Sequence, residues 1–272
     1  MASHLPALAG VRLPLRPLKL LEDWHAMTSN SVPNSGAAPA PDAAVLPLFD
    51  PESIPGDPSF AEPSQRGEAI AAGRLRANAL RARFASPPAW QPEMRADVRL
   101  LNLNVPQRPA AVLVPLIARG DDLTVLLTRR AAHLHDHAGQ ISFPGGRADE
   151  GDASPRATAL RETFEEIGLA EDVVDVIGEL PEYITVTRYR VTPIVALIER
   201  PFALTLDHFE VEEAFEVPLA FLMDPRNHER RLVTIGDRPR TFYAMPFTAG
   251  QRYFIWGATA AMLRNFYQFL RA

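Results

Sequence analysis

The sequence predicts an α/β fold in which a mixed β-sheet is covered by helices. Apolar runs of strand length, longer segments with helical spacing, and turn residues between them support this prediction. Strands and helices that alternate along the chain favour a sheet with helices on its faces. Gly120, Asp121 and Asp122 predict a hairpin turn between the first two strands. We expect strands at 110–118, 123–129, 173–180, 182–187, 190–198, 231–235 and 241–245, and helices at 155–167, 211–223 and 255–270.

The composition is that of an ordinary globular protein. The 272 residues include 47% hydrophobic and 22% charged residues, enough for one large domain with extensions. The net charge of −5 argues against a nucleic-acid binder, so the expected partner is a small molecule. The absence of cysteine excludes disulfides, thiolate zinc sites and cysteine nucleophiles, and it is compatible with the expected cytoplasmic location. No apolar run reaches the roughly 18 residues of a membrane span, so no membrane partner is expected. A homodimer is left open.

Three segments differ in composition. Residues 1–63 are rich in proline and alanine and are predicted to be a disordered extension. Their start lacks the uninterrupted apolar core of a secretory signal, while organelle targeting and a start at Met27 stay open. Residues 64–92 combine a basic amphipathic helix with a linker. Residues 93–272 hold the strands and helices given above and are predicted to form the main domain.

Residues 155–167 carry the clearest helix signals of the chain. Ser154 is a capping residue, Pro155 suits the first turn because it needs no N–H partner, and Gly168 favours a left-handed stop. At about 100° per residue, one stripe of this helix is apolar and is expected to pack on the core, while the opposite side faces water. The apolar stripe consists of Leu160, Phe164 and Ile167, and the side expected in water carries Glu162, Glu165 and Glu166.

The three glutamates follow the spacing i, i+3, i+4, so their carboxylates are expected to cluster. Like charges on neighbouring turns cost roughly 0.2–0.5 kcal/mol per exposed pair, so the arrangement does not stabilise the helix. Hard divalent ions such as Mg²⁺ bind through a few carboxylates together with substrate phosphates. A solvated acidic face explains the same pattern when it stands alone, so the neighbouring residues decide between the two interpretations.

The neighbours of the acidic cluster favour a metal site. Phe143-Pro144-Gly145-Gly146 precedes the helix, which continues Arg161-Glu162-Thr163-Phe164-Glu165-Glu166-Ile167-Gly168. These residue types at these spacings resemble the signature of the Nudix hydrolases. The resemblance implies a Nudix-type α/β/α sandwich, a phosphoanhydride hydrolase activity and Mg²⁺ or Mn²⁺ as cofactor. It also implies that Glu165 and Glu166 are the principal metal ligands. Glu162 is implied as a further ligand or base, and Arg161 as a member of the catalytic group.

The first half of the signature departs from the family pattern. Counted back from Arg161, the position of the usual glutamate holds Ala153, whereas Asp152 is the sixth residue after Gly146. One additional loop residue explains the offset. The resemblance implies that this acid pairs with the arginine, so Asp152 or Asp149 is expected to pair with Arg161.

The segment before the helix narrows the substrate. Leu126 to Gly146 reads LLTRRAAHLHDHAGQISFPGG and resembles the additional signature of the coenzyme A pyrophosphatase subgroup. An arginine usual in that subgroup is replaced here by His135. The resemblance covers about residues 95–272 and implies hydrolysis of coenzyme A or acyl-CoA to 4′-phosphopantetheine and adenosine 3′,5′-bisphosphate. The expected substrate-binding residues are Arg129, Arg130, His137, Gly145, Gly146 and Arg147.

Other interpretations stay open. The same chemistry fits ADP-ribose or another nucleoside diphosphate derivative, and the fold fits a nucleotide-binding module without activity. On an extended segment, every second side chain lies on the same side, so His133, His135 and His137 suggest a zinc site. No glutamate follows them at the spacing of a metalloprotease. Loop packing or phosphate contact is favoured for these histidines. The base that accepts a proton from water is expected to be Glu162 or one of Glu210, Glu212 and Glu213.

Overall fold

The chain folds around a mixed sheet whose two faces are covered by different elements. The computed structural model describes residues 50–61, 63–96, 106–133, 139–235 and 238–272. The predicted disordered segment up to residue 49 lies outside these ranges. Within them, no helix combines the length and apolar character needed to cross a membrane.

The secondary structure consists of eleven strands and five α-helices within the described ranges. The strands are β1 (Arg108–Arg119), β2 (Asp122–Arg130), β3 (Ile141–Ser142), β4 (Gly145–Arg147), β5 (Asp175–Glu179), β6 (Tyr183–Ile184), β7 (Tyr189–Ile198), β8 (Val211–Pro218), β9 (Glu229–Ile235), β10 (Arg238–Ala249) and β11 (Gln251–Trp256). The helices are α1 (Pro63–Arg66), α2 (Ala77–Ala85), α3 (Pro155–Ile167), α4 (Leu219–Leu222) and α5 (Gly257–Arg271). Short 3₁₀ turns occupy Pro58–Ala61, Ala72–Leu75, Glu171–Val173 and Pro225–Asn227.

The large sheet combines parallel and antiparallel pairs. Its strand order is β3-β2-β1-β7-β5, with β4 paired to β1, β6 to β7 and β8 to β2. β1 and β7 run parallel, from Arg108 opposite Tyr189 to Ile117 opposite Ile198. The other pairs in this sheet are antiparallel. A second sheet has the order β11-β10-β9. The predicted mixed sheet is therefore confirmed.

Alternation along β1 sends neighbouring side chains to opposite faces of the sheet. Ala111 and Leu113 join a buried cluster with Leu160 of α3. Val114 and Leu116 join a larger cluster that includes α5 and the second sheet. α3 therefore covers one face of β1, beside the short strand β4, and this placement brings its glutamates to the glycine loop.

The prediction of a helix at 211–223 is wrong. Val211–Pro218 is strand β8, and only Leu219–Leu222 is helical. Val211, Ala214 and Phe215 have helical spacing, which misled the prediction. Antiparallel pairing with β2 overrides this local pattern, since it buries Val217 opposite Val125. The helix at 155–167 has the predicted bounds, and the helix at 255–270 is observed as α5.

The folded part begins earlier than the sequence predicted. The described chain from residue 50 to residue 272 forms one compact unit, so it does not start near Glu93. Phe60, which was placed in the disordered extension, is buried in the same cluster as α5. The expected single helix at 64–85 is divided into α1, a 3₁₀ turn and α2. Gly67, with φ of +92°, separates the first two of these pieces because its left-handed backbone cannot continue a helix.

A buried arginine joins this amino-terminal part to α5. The Arg264 guanidinium donates to Glu93 Oε2 at 2.8 Å and to the carbonyl oxygen of Arg66 at 3.0 Å. Its Nη1 also lies 3.1 Å from His228 Nδ1. The other ring nitrogen of His228, Nε2, lies 2.7 Å from the carbonyl oxygen of Leu222. These contacts fit a neutral His228 that donates through Nε2 and accepts through Nδ1.

Candidate active site

Helix α3 begins and ends at the predicted residues. Ser154 Oγ accepts a hydrogen bond from the Ala157 N–H at 3.2 Å, and Pro155 occupies the first turn. Gly168 has φ of +69°, and its N–H donates to the carbonyl oxygen of Phe164 at 2.8 Å. Both ends of the helix are fixed by these local contacts, and so are the positions of the three glutamates.

The buried face of α3 differs from the predicted one. Phe164 was expected in the core, but 58% of its surface is exposed. Glu166 was expected in water, but it is only 4% exposed. The face that meets β1 and β4 contains Ala159, Thr163 and Glu166. Helical periodicity gives only relative angles, and the glycine loop provides a polar partner that lets a glutamate occupy the buried face.

The glycine loop lets the backbone approach two of these carboxylates closely. The Gly145 N–H donates to Glu166 Oε2 at 3.0 Å. Gly145 has φ of +142°, and a Cβ there would overlap the carbonyl oxygen of Ala111 and the Cα of Val112. A Cβ on Gly146 would overlap the Glu162 carboxylate. Gly145 is therefore required by the close packing of the loop against β1, whereas a side chain at position 146 would displace the Glu162 carboxylate.

Arg161 connects the loop to the helix. It donates to Asp152 through two bonds of 3.0 and 2.8 Å and to the carbonyl oxygen of Arg147 at 3.1 Å. It also lies 3.0 Å from both Glu162 and Glu165. The predicted pairing with Asp152 is confirmed, and the hydrogen bonds from Arg161 hold the pKa of Asp152 far below its ordinary value. Arg161 thus positions the acidic residues and the loop.

The carboxylate of Glu166 is incompletely neutralised. Burial raises the pKa of Glu166, and the charges of Glu210 and Glu162 add smaller increases. The Gly145 N–H and Arg130 act in the opposite direction, and the net pKa is about 7. Burial also raises the pKa of Glu162, against the effect of Arg161 and with contributions from Glu165 and Glu210. Of the three glutamates proposed as an outer base, Glu210 is therefore the one that acts electrostatically on both helix carboxylates.

The two neighbouring arginines of β2 point to different parts of the protein. Arg130 Nη1 lies 3.8 Å from Glu166 Oε1, on the face of the sheet that α3 covers. Arg129 lies over the ring of Tyr253 at 5.1 Å and has Glu213 at 3.6 Å. Strand alternation explains the separation. The structure does not bring Arg129 to the acidic helix, although the sequence grouped it with Arg130.

The remaining predicted binding residues have mixed outcomes. Arg147 is exposed and contributes its carbonyl oxygen to Arg161. His137 and His135 lie outside the described residues. His133 is described, and its ring lies 5.0 Å from the ring of Phe209. Sequence reasoning missed Phe209, because a single aromatic residue in a loop carries no periodic signal.

The site fits a hard divalent cation by the chemistry of its donors. In the described parts of the chain, no three His, Asp or Glu side chains converge closely enough to hold a metal ion. Glu162 and Glu165 lie against Arg161 instead. Among the described residues, the partners of buried Glu166 are the Gly145 N–H at 3.0 Å and Arg130 at 3.8 Å, so this part of the site has an excess of negative oxygen ligands. Mg²⁺ and Mn²⁺ prefer such ligands.

Comparison with known proteins identifies the class to which this fold and site belong. Residues 106–237 match the NUDIX domain family. A protein named "Uncharacterized Nudix hydrolase NudL" from Escherichia coli (strain K12) is 40% identical over 173 residues, 63% of this chain and 86% of that protein. Its counterpart from Cronobacter sakazakii is 43% identical over the same shares. RenU, a Nudix hydrolase of M. smegmatis, has a TM-score of 0.36 and 24% identity over 42% of this chain and 71% of that structure.

The chain belongs to the Nudix hydrolase family, as the two NudL relatives show. It is a pyrophosphohydrolase, an enzyme class that cleaves phosphoanhydride bonds and generally uses divalent metal ions.

Proposed function

We propose that this protein hydrolyses the pyrophosphate bond of coenzyme A or acyl-CoA, with Mg²⁺ or Mn²⁺ as cofactor. The products are 4′-phosphopantetheine and adenosine 3′,5′-bisphosphate. The observation that carries the hydrolytic part is the glycine loop, in which the Gly145 N–H donates to Glu166 at 3.0 Å and Gly146 packs against the Glu162 carboxylate. The coenzyme A part rests on the resemblance of residues 126–146 to the coenzyme A pyrophosphatase signature.

Several residues of that signature support the loop that carries the glycines. The Arg130 N–H donates to the carbonyl oxygen of Gln140 at 3.0 Å, and the Gly139 N–H donates to that of Arg130 at 3.1 Å. Phe143 is buried, and the Leu113 N–H donates to the carbonyl oxygen of Pro144 at 2.9 Å. These contacts anchor the segment at both ends and deliver Gly145 to the helix. They support the proposal that this segment positions the glycine loop against the acidic helix.

Charge complementarity separates the predicted substrate-binding arginines. Coenzyme A carries a pyrophosphate and a 3′-phosphate, which need several cationic contacts. Arg130 faces Glu166, and exposed Arg147 follows the glycine pair directly. We assign phosphate contact to these two residues. Arg129 has the Tyr253 ring and Glu213 as neighbours, so its proposed role is to hold β2 and β8 to β11.

In the proposed mechanism, the oxygen of a water molecule attacks one phosphorus of the substrate. A P–O bond forms, the anhydride P–O bond breaks, and the bridging oxygen leaves with the other phosphate. Glu162 or Glu210 accepts the proton of the water, since both are carboxylates within the electrostatic reach of Glu166. Glu162, Glu165 and Glu166 are the residues that would hold a divalent ion, which when bound would supply water activation and neutralise charge on the phosphate oxygens. Arg161 keeps the acids and the loop in register.

The test is incubation of the purified full-length chain with coenzyme A and Mn²⁺ or Mg²⁺, followed by product identification by mass spectrometry. We expect the two named products, and no product without a divalent ion. Parallel reactions with ADP-ribose and dinucleotides determine whether another diphosphate is the preferred substrate. If those compounds are cleaved while coenzyme A stays intact, coenzyme A is not the substrate. If calorimetry shows binding but no compound is turned over, the proposed hydrolysis is wrong.

A further inference from the structure

An exposed aromatic pair lies beside the acidic site. Phe209 is 68% exposed, although burial of a phenylalanine side chain is normally favourable. Its ring centroid lies 5.0 Å from that of His133, with an interplanar angle of 59°. We propose that Phe209 and His133 form a stacking subsite for a planar aromatic ring of the substrate, a nucleobase. This inference rests on the proposed function, because it assigns part of the same substrate.

The turn that carries Phe209 is fastened to the helix of the acidic site. The Asp207 N–H donates to the carbonyl oxygen of Glu166 at 2.9 Å. The Phe209 N–H donates to Asp207 Oδ1 at 2.9 Å. The N–H groups of Glu210 and Val211 both donate to the carbonyl oxygen of Asp207, at 3.0 and 2.8 Å. The exposed ring is therefore held on a hydrogen-bonded turn that begins at the backbone of Glu166, which lowers the entropic cost of binding a ligand.

His133 reaches the same place from strand β2. The Ala131 N–H donates to the carbonyl oxygen of Glu210 at 2.8 Å, which joins the end of β2 to the residue after Phe209. Arg130, immediately before Ala131, faces Glu166 at 3.8 Å. The two rings consequently stand on the two chain segments that also carry Arg130 and Glu210. We therefore place the phosphates of the ligand at Arg130 and its nucleoside at the two rings.

The chemistry of the pair fits a nucleobase. Aromatic side chains bind bases through stacking, which tolerates any base because each has a π-face. The exposed face of Phe209 provides apolar area next to a strongly charged site, and such amphipathic surroundings match a nucleotide, with its planar base and its anionic phosphates.

The experiment compares AMP with ribose 5-phosphate by isothermal calorimetry on the full-length protein, because these ligands differ only in the base and contain no anhydride bond. For Phe209→Ala we expect AMP affinity to fall about tenfold and ribose 5-phosphate affinity to stay unchanged. Phe209→Tyr, which keeps a ring, should retain AMP binding. Phe164→Ala is the matched control, since Phe164 is also an exposed phenylalanine near the site, and it should behave like wild type.

Three results would overturn the subsite: wild type that does not prefer AMP, Phe209→Ala with unchanged AMP affinity, or equal losses for both ligands. Coenzyme A turnover measured on the same variants separates this inference from the proposed function. If Phe209→Ala loses AMP binding but no variant, nor wild type, cleaves coenzyme A, the subsite is supported and coenzyme A is excluded as the substrate. Coenzyme A turnover together with unchanged AMP affinity in Phe209→Ala keeps the substrate and removes the subsite.

Discussion

Two buried charged side chains in this protein, Arg264 and Glu166, have contrasting surroundings. Arg264 is 2% exposed and is surrounded by partners: the carboxylate of Glu93, the ring of His228 and a carbonyl oxygen. Its guanidinium also lies 4.9 Å from the centroid of the Tyr267 ring. Glu166 is 4% exposed but has one N–H donor and a distant arginine. Arg264 is therefore paired with several other residues of the chain, whereas Glu166 has few partners among the described residues.

We propose that this difference separates a structural charge, Arg264, from a functional one, Glu166. Moving an ion out of water costs several kcal/mol, and only partners with good geometry offset that cost. Burial raises the pKa of Glu93, but Arg264, Tyr243 and Gln268 outweigh it and hold that pKa below its ordinary value. The pKa of Glu166 is instead raised to about 7. Loss of the satisfied charge should damage the fold, and loss of the other should damage activity.

The largest effect is expected for Arg264→Met. The variant removes the buried guanidinium and leaves Glu93, the carbonyl oxygen of Arg66 and His228 without their shared partner, so we expect the free energy of unfolding to fall by about 3–5 kcal/mol in urea denaturation. Arg252→Met is the matched control, because Arg252 pairs with Glu52 at the surface and such pairs contribute about 0–1 kcal/mol. Equal losses in the two variants would show that the buried network has no special importance.

His228 makes the same network sensitive to pH. Burial lowers its pKa from 6.5 to about 4, so between these values the unfolded state binds a proton that the folded state excludes. Stability should therefore fall as the pH drops from 7 towards 4, by up to about 3 kcal/mol from this residue. Urea midpoints at several pH values test this. His228→Gln, which keeps both hydrogen-bonding functions without titrating, should show a flatter profile; parallel profiles would exclude His228 as the cause.

Removal of the Glu166 charge should lower the turnover rate of the enzyme. We expect Glu166→Gln to reduce kcat with the proposed substrate at least about 100-fold, the scale of losing a charge-stabilising group. Circular dichroism of the variant should match wild type, because the amide fits the same space. Glu212→Gln, at an exposed position of β8, is the matched control and should keep normal turnover. Near-normal activity of Glu166→Gln would remove this residue from the mechanism.

The smallest effect is expected for the two arginines of β2, whose replacement should change KM to different extents. Arg130→Ala should raise KM for the substrate about tenfold, since a charge-assisted contact to phosphate is lost. Arg129→Ala should leave KM near the wild-type value, because its neighbours are Tyr253 and Glu213. Steady-state kinetics on both variants measures the difference. An increase in KM only for Arg129→Ala would reverse the assignment.

Local signals were sufficient for part of the site. Ser154 and Gly168 fixed the bounds of α3 because capping depends on neighbouring residues alone. The resemblance implied that Asp152 or Asp149 pairs with Arg161, and the structure shows the hydrogen-bonded pair with Asp152. Long-range packing decided the rest. The side of α3 that is buried depends on where β1 and β4 lie, so Phe164 and Glu166 were assigned to the wrong environments.

Non-local pairing also explains the other differences. The segment from Val211 has helical spacing of apolar residues but becomes a strand because β2 provides a partner. Arg264 resembles a solvated residue of an amphipathic helix in the sequence, and its burial depends on segments more than 160 residues away along the chain, such as Glu93. No local pattern predicts such a contact.

The central proposal for this protein is that Glu166 carries a buried charge whose partner would be a divalent ion. Urea denaturation of wild type and Glu166→Gln, each with and without Mn²⁺, tests it directly. Without Mn²⁺ the variant should be at least as stable as wild type, because a poorly compensated buried charge has been removed. Saturating Mn²⁺ should then stabilise wild type by about 2–3 kcal/mol at a hundredfold excess over its dissociation constant and the variant by clearly less. A variant that unfolds more readily than metal-free wild type, or that gains as much from Mn²⁺, would contradict the claim.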